Sequence, residues 1–382
     1  MTDPAAVTPA TSARERERRA AILVPRLARG DAVGNDTIGL GDALASLGFQ
    51  VEVFAEQHDH GTEARELGEA PAFLERGRPL AIYQLATQWD RGFELFRTTR
   101  AVRVVRDHNV TPARLLDFLG DELGRIQRAA ERQRAKLAAD PQVDLLLAAS
   151  TTNAEELVGL GAARAKTSVV PPSTPIVAPL ETSAERPAAL RARRVSPVAL
   201  FVGRLAPHKG HRRALRIAAT YAELYGVPLA LRFVGSGDRL LAPWRDVLGR
   251  EERRLGLAGH VEWRTDVDAA ELRRLYATSD VFLCCSEHEG FCVPLVESTH
   301  LGLPVVATHL ASIRDTIGPG ALVLPPDADD DLVAASLHRV ANDADLRAEV
   351  VAAQRAHVES RFSVAAVRES LSAALASRGL LD

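Results

Sequence analysis

The chain has 382 residues, 46% of them hydrophobic and 25% charged, and a formal net charge of −3 at pH 7; this length suits two domains and the composition an ordinary soluble globular protein. The weak negative charge excludes the basic footprint of a nucleic-acid binder, and no apolar run reaches the ~18–20 residues of a membrane-spanning helix. Three cysteines make no even disulfide framework, which points to a reducing compartment, and a cytoplasmic protein is expected.

Residues 1–19 are polar and then Arg/Glu-rich, lack an apolar signal core, and read as a disordered lead-in. Ala20–Pro25 is a short apolar strand, followed by the loop Arg29-Gly30-Asp31-Ala32-Val33-Gly34-Asn35-Asp36 and a helix from Thr37 to Leu47, with Asp36 as its expected N-cap. Gly48 ends the helix and Val51–Ala55 is the next strand. Such a βαβ unit presents nucleotide-type ligands at its first turn, so Gly34 is a candidate contact, although Gly30 and Gly34 do not make the G-x-G-x-x-G of nicotinamide or flavin sites. Strands are predicted at Leu80–Leu85, Val102–Asp107 and Val143–Ala148, and this alternation indicates a doubly wound α/β domain. Residues 113–139 form a helical stretch whose Arg125, Arg128, Arg132, Arg134 and Lys136 could favour weak peripheral membrane contact. Asp117, Asp121, Glu122 and Glu131 interleave with them, which favours a solvated helix laced with ion pairs. A helix at Asn153–Leu160 and a strand at Thr167–Pro171 close this half, and residues 176–194, rich in Pro, Ala and Arg, are the linker.

The second half repeats the alternation. Strand Val198–Val202 ends at Gly203, placing Arg204 at a carboxyl edge, and Lys209-Gly210 introduces a helix with the apolar stripe Ala214, Ile217, Ala218, Tyr221 and Leu224. A guanidinium fork and an ammonium suit the oxygens of a diphosphate; two solvated cations beside a helix start is the plainer alternative. Gly235-Ser236-Gly237 follows strand Leu231–Val234 as a tight turn, more wall than chemistry. Apolar Val281–Cys285 is a buried strand, the turn Glu289-Gly290 follows, and a helix opening at Pro294 carries Glu297 and stops at Gly302 before strand Pro304–Val306. The first turn of that helix leaves N–H groups unpartnered, so the backbone of Gly290, Phe291, Cys292 and Val293 can receive a diphosphate or a developing negative charge. Glu297 could accept from a ribose diol and Glu289 from a second sugar, unless both are solvated helix-start acids. Cys284, Cys285, His288 and Cys292 hold zinc-type ligands. However, neighbouring Cys284 and Cys285 must point to opposite faces of a strand, so buried free thiols are expected, and no acidic motif indicates magnesium. Residues 363–382 form a terminal helix with the stripe Val367, Leu371, Ala374 and Leu375.

Glu289 and Glu297, separated by seven residues within Ser-Glu-His-Glu-Gly-Phe-Cys-Val-Pro-Leu-Val-Glu-Ser, resemble the signature of glycosyltransferase family 4. Leu301-Gly-Leu-Pro-Val-Val-Ala307, Phe201–Gly210, Phe233–Gly237 and Val261–Asp280 are similar to its other segments, so the likeness spans about 195–362. It implies a GT-B fold: two Rossmann-like domains, 20–175 on the acceptor side and 195–362 on the nucleotide-sugar side, facing across a cleft, with the final helix returning to the first. It further implies a retaining hexosyltransferase using a nucleotide-diphosphate sugar, UDP before GDP by family frequency, a hydroxyl acceptor, and no cofactor or metal. Arg204 and Lys209 match the family's diphosphate-binding pair, and Glu289 and Glu297 its donor contacts. Arg106-Asp107-His108-Asn109-Val110-Thr111-Pro112 resembles a His-Asn-x-Thr-Pro motif of a bacterial subset, which would set His108 beside the donor sugar. Pro172-Ser173-Thr174 departs from the family's Asn-Gly-Val-Asp-like turn, so no contact is assigned there. A sugar-nucleotide epimerase, a phosphorylase or a non-catalytic sugar-nucleotide binder would share this architecture.

Overall fold

The computed structural model describes residues 18–59, 61–173, 196–235 and 239–381. The expected linker 176–194, the lead-in up to residue 17, and Ser236 and Gly237 of the predicted turn lie outside these residues. Seven strands, β1 (Arg18–Leu27), β2 (Phe49–His58), β3 (Arg65–Glu66), β4 (Leu80–Leu85), β5 (Val102–Asp107), β6 (Leu145–Ala148) and β7 (Thr167–Val169), form one sheet in the order β3-β2-β1-β4-β5-β6-β7. Six more, β8 (Val198–Val202), β9 (Ala230–Val234), β10 (Val261–Arg264), β11 (Val281–Cys284), β12 (Val305–Thr308) and β13 (Leu322–Leu324), form a second in the order β10-β9-β8-β11-β12-β13. Every recorded pairing is parallel.

Parallel strands covered on both faces need near-continuous apolar runs, and β4 (Leu-Ala-Ile-Tyr-Gln-Leu) is buried along its whole length. The two-residue period sends alternate side chains to opposite layers: Ala21 and Leu23 join one core cluster of the first sheet, Ala20 and Ile22 the other. In the second sheet Leu283 and Cys285 face one layer, Phe282 and Cys284 the other. Strand order reverses between β1 and β4 and again between β8 and β11, and ligands of open α/β sheets bind outside the carboxyl ends at such points.

Several boundaries differ from the sequence reading. Arg18 and Arg19 belong to β1 rather than to a lead-in. The first helix runs Ala32–Ser46, and its N-cap is Asp31, whose carboxylate accepts from the Gly34 N–H at 3.3 Å. Asp36 is therefore a buried residue inside the helix and not its cap, because Asp31 already supplies the acceptor one turn earlier. The stretch 113–139 begins as two short 3-10 turns, and its helix proper is Asp121–Ala138. Leu224, placed in an apolar stripe, is 49% exposed, whereas Ala214, Ile217, Ala218 and Tyr221 of the same helix are buried. The last helix, Val364–Ala376, opens at the Ser363 cap and buries Val367, Leu371, Ala374 and Leu375 against Ala20, Ile22 and Leu40 of the first domain. Among the described residues no helix is long and apolar enough to cross a membrane.

The two sheets meet through small apolar seams. Ala149 packs with Phe291, Val296, Val358 and Phe362, and Leu116 and Leu123 pack with Ala206 and Leu241. Phe118 lies edge-on to Trp244 with ring centroids 5.9 Å apart.

Candidate active site

The carboxyl edge of the second sheet is assembled by two close backbone approaches. A Cβ on Gly235 would lie 2.0 Å from the Gly203 carbonyl oxygen, and a Cβ on Gly210 would lie 2.1 Å from that of Cys285. Only glycine fits at either point, and Gly210 is also left-handed, at φ 86°. The second approach, with the Glu287 N–H donating to the His208 carbonyl at 2.7 Å, draws the Pro207–Lys209 turn onto the acidic turn after β11. Lys209 Nζ then donates to both carboxylate oxygens of Glu289, at 2.9 and 2.8 Å. Ser286 Oγ donates to Glu289 Oε1 at 2.7 Å. Burial alone would lower the Lys209 ammonium, but the Glu289 carboxylate outweighs it and holds the group above its ordinary value. Arg204 is exposed nearby. Burial first, and then the charges of Lys209 and Arg204, depress the His208 imidazole to about 2, so it stays neutral.

Glu297 sits in the helix Val293–His300 and is not a solvated acid: it is 6% exposed and accepts from Tyr276 Oη at 2.7 Å. Burial raises its carboxyl to about 7 despite that bond. Cys292 precedes the helix in a left-handed conformation (φ 72°) and gives no side-chain cap to the first-turn N–H groups. Phe291 and Val293 serve as walls through their side chains: Phe291 is perpendicular to Phe362 at 5.1 Å, its carbonyl accepts from Thr316 Oγ at 2.7 Å, and Val293 packs on the same cluster. Gly290 is where the halves touch, because an added Cβ would lie 2.8 Å from the His108 carbonyl oxygen and 2.9 Å from Asn109 Cβ. The group that comes closest to this glycine is thus the backbone of the first domain.

That backbone belongs to the end of β5. His108 Nε2 lies 2.6 Å from Gln84 Oε1 and 3.5 Å from Asp36 Oδ2. Burial lowers its pKa to about 4, the nearby Asp36 charge notwithstanding. Asp36 is held below the usual carboxylate range: burial opposes this, but Arg106 donates to it from Nε at 2.7 Å and Nη2 at 3.1 Å. The Ser173 N–H adds a bond of 3.0 Å to Asp36. Next to His108, Asn109 (φ 66°) donates to Asn153 Oδ1 at 2.9 Å. Asp107 lies away from this group, in a buried ion pair with Arg134 at 2.8 Å. Gly34 is packed, with an added Cβ only 1.9 Å from the Ala28 carbonyl oxygen and its N–H taken by Asp31.

The structure thus joins Lys209 directly to Glu289, sets Gly290 against His108, and keeps Glu297 beneath the same helix end. Sequence reasoning passed over Tyr276, Ser286, Gln84 and Arg106. The Arg106 signal was present, since a charged residue in the otherwise apolar run Val104-Val105-Arg106 of a central strand needs a buried partner.

Residues 184–357 match the family model described as Glycosyl transferases group 1. The chain is 33% identical over 227 residues to D-inositol 3-phosphate glycosyltransferase of Acidothermus cellulolyticus, covering 56% of this chain and 49% of that protein. It is 36% identical over 132 residues to the GDP-mannose-dependent alpha-mannosyltransferase of Mycobacterium tuberculosis, covering 34% of this chain and 30% of that one. The chain spans about half the length, or less, of the curated relatives it matches. Among solved structures, Anabaena HepE in complex with UDP and glucose superposes with a TM-score of 0.71 at 17% identity, covering 94% of this chain and 100% of that one. Sucrose-phosphate synthase of Thermosynechococcus elongatus superposes with a TM-score of 0.72 at 18% identity, covering 94% and 98%. Identities this low establish architecture only, and that architecture is the expected one. The chain therefore has the GT-B fold, and its residues 184–357 are similar to the family described as Glycosyl transferases group 1.

Proposed function

We propose that the protein is a retaining glycosyltransferase that moves a hexosyl group from a nucleotide-diphosphate sugar to an acceptor hydroxyl. The observation that carries this reading is the ion pair of Lys209 with Glu289, on the turn that leads into the helix holding Glu297, at a topological switch point. As the sugar–phosphate bond lengthens, the anomeric carbon gains cationic character and negative charge grows on the leaving diphosphate. Arg204, Lys209 and the N–H groups of Gly290 to Val293 stabilise that charge, and prepositioned donors of this kind commonly supply the largest catalytic contribution. Lys209 can turn from Glu289 to the diphosphate, which frees the Glu289 carboxylate to accept from donor-sugar hydroxyls. Glu297 accepts from the ribose diol. Neutral His108, held by Gln84, faces the sugar from the other domain. The acceptor's proton passes to the leaving diphosphate, so no dedicated base is assigned, and two cations with a helix end serve where other transferases use a divalent metal.

UDP is the proposed carrier. The likeness to HepE, solved with UDP and glucose, supports it, while the mannosyltransferase relative named for GDP-mannose makes GDP the natural comparison. Incubation with a panel of UDP- and GDP-sugars, scored for nucleotide release with and without hydroxyl acceptors, tests the reading. Acceptor-dependent release with a new glycoside is expected. Epimerised sugar without glycoside, strict dependence on inorganic phosphate, or binding without turnover would each replace it with one of the alternative activities.

A further inference from the structure

Cys284 and Cys292 bracket the turn that carries Glu289. Cys284 ends β11, and the left-handed backbone at Cys292 folds the chain back so that the two thiols lie close together. Cys285 faces the opposite layer of the sheet and takes no part. The two sulfur atoms and a Glu289 carboxylate oxygen all lie within 4.8 Å of one another. Zinc bound by two thiolates and a carboxylate at ordinary bond lengths would set these atoms about 3.4–3.8 Å apart, so side-chain rotations of roughly 1 Å complete the geometry. An outer layer that orients the set is already built: Ser286 Oγ donates to Glu289 Oε1 at 2.7 Å, and Cys284 Sγ donates to Ser286 Oγ at 3.7 Å.

We propose that Cys284, Cys292 and Glu289 form a binding site for a thiophilic divalent cation of the zinc class, which competes with Lys209 for the Glu289 carboxylate. Two sulfurs and one oxygen select zinc over magnesium or calcium. Binding releases one proton from each thiol to solvent. The two thiolates and the carboxylate then carry three negative charges against the two positive charges of the metal, and the displaced Lys209 ammonium neutralises the remaining one. The fourth coordination position is left to water or to a phosphate oxygen. Because the metal withdraws Glu289 from Lys209 and from any donor sugar, it acts as a brake on the site, and this consequence alone rests on the proposed function.

The full chain, kept reduced with a phosphine, is titrated with zinc chloride against a chromophoric chelator. One zinc per chain is expected. Cys284→Ser and Cys292→Ser should each weaken binding by more than the roughly 100-fold that even an outer-layer partner can cost, while Cys285→Ser leaves it unchanged. In the wild-type chain, bound zinc should also slow alkylation of Cys292, a readout that needs no variant. Absence of stoichiometric zinc, equal affinity in Cys292→Ser, or conversion of the two thiols to a disulfide under these conditions would overturn the proposal. None of these readouts depends on glycosyl transfer. Failure of the metal site therefore leaves the proposed function standing, and a chain inactive on every nucleotide sugar can still bind zinc here.

Discussion

Replacing Glu297 by glutamine should make the protein more stable and less able to bind its nucleotide. Burial raises the Glu297 carboxyl from 4.5 to about 7, so the folded protein holds a proton that the unfolded chain has already released. The resulting cost is absent below about pH 4.5, grows as pH rises, and is complete above about pH 7. At 1.36 kcal/mol per pKa unit it amounts to about 3 kcal/mol. Glutamine occupies the same volume, never ionises, and can still accept from Tyr276 Oη, which donates to Glu297 at 2.7 Å. At pH 8 the variant should therefore gain up to about 3 kcal/mol, or roughly 5–10 °C in Tm for a domain of this size; at pH 4.5 the two proteins should coincide. Nucleotide affinity should move the other way, falling roughly 10–100-fold as charge-assisted bonds to the ribose diol are lost. Urea titrations at several pH values and calorimetric titration with UDP measure both. A variant whose stability follows the same pH dependence as the parent between pH 5 and 8 would refute the argument.

Three further outcomes are expected. Gly290→Ala places a Cβ 2.8 Å from a backbone oxygen of the other domain; the halves must part, which should enlarge the radius of gyration in small-angle scattering and cost about 1–3 kcal/mol. Arg106→Met leaves Asp36 buried without its cation and should lower stability by about 3–5 kcal/mol in urea, with most of the loss recovered in the Asp36→Asn/Arg106→Met double variant. Arg204→Ala removes an exposed cation, and the rate of nucleotide release should fall about 100-fold.

Local patterns carried the architecture. The apolar runs of β4 and β11, the stop at Gly302 and the stripe on the last helix are short-range features, and each stands where the sequence places it. The carboxyl edge of the second sheet was legible for the same reason, because a strand followed by a glycine and a cation marks a strand end. The hydrogen-bonded partners were not. Lys209 and Glu289 are 80 residues apart, and Asp36 and Arg106 are 70; pairing over such distances is set by sheet order, which no local pattern encodes. Asp36 shows how this misleads. Directly after a glycine-containing loop it has the chemistry of a helix cap, yet Asp31, five residues earlier, has the same chemistry and takes the role.

The two carboxylates of the signature also come to differ in kind, although they share one helix end and one residue type. Glu289 has a half-buried ammonium and a hydroxyl donating to it, so its charge is matched within the protein. Among the described residues Glu297 has one phenol and no cation, and burial pushes it to about 7. A desolvated, unmatched carboxylate gains most from a ligand that brings hydrogen-bond donors. On the proposed function, Glu297 is thus the group through which nucleotide affinity should rise with pH across neutrality, and Glu289 the group that holds Lys209 until a diphosphate competes for it.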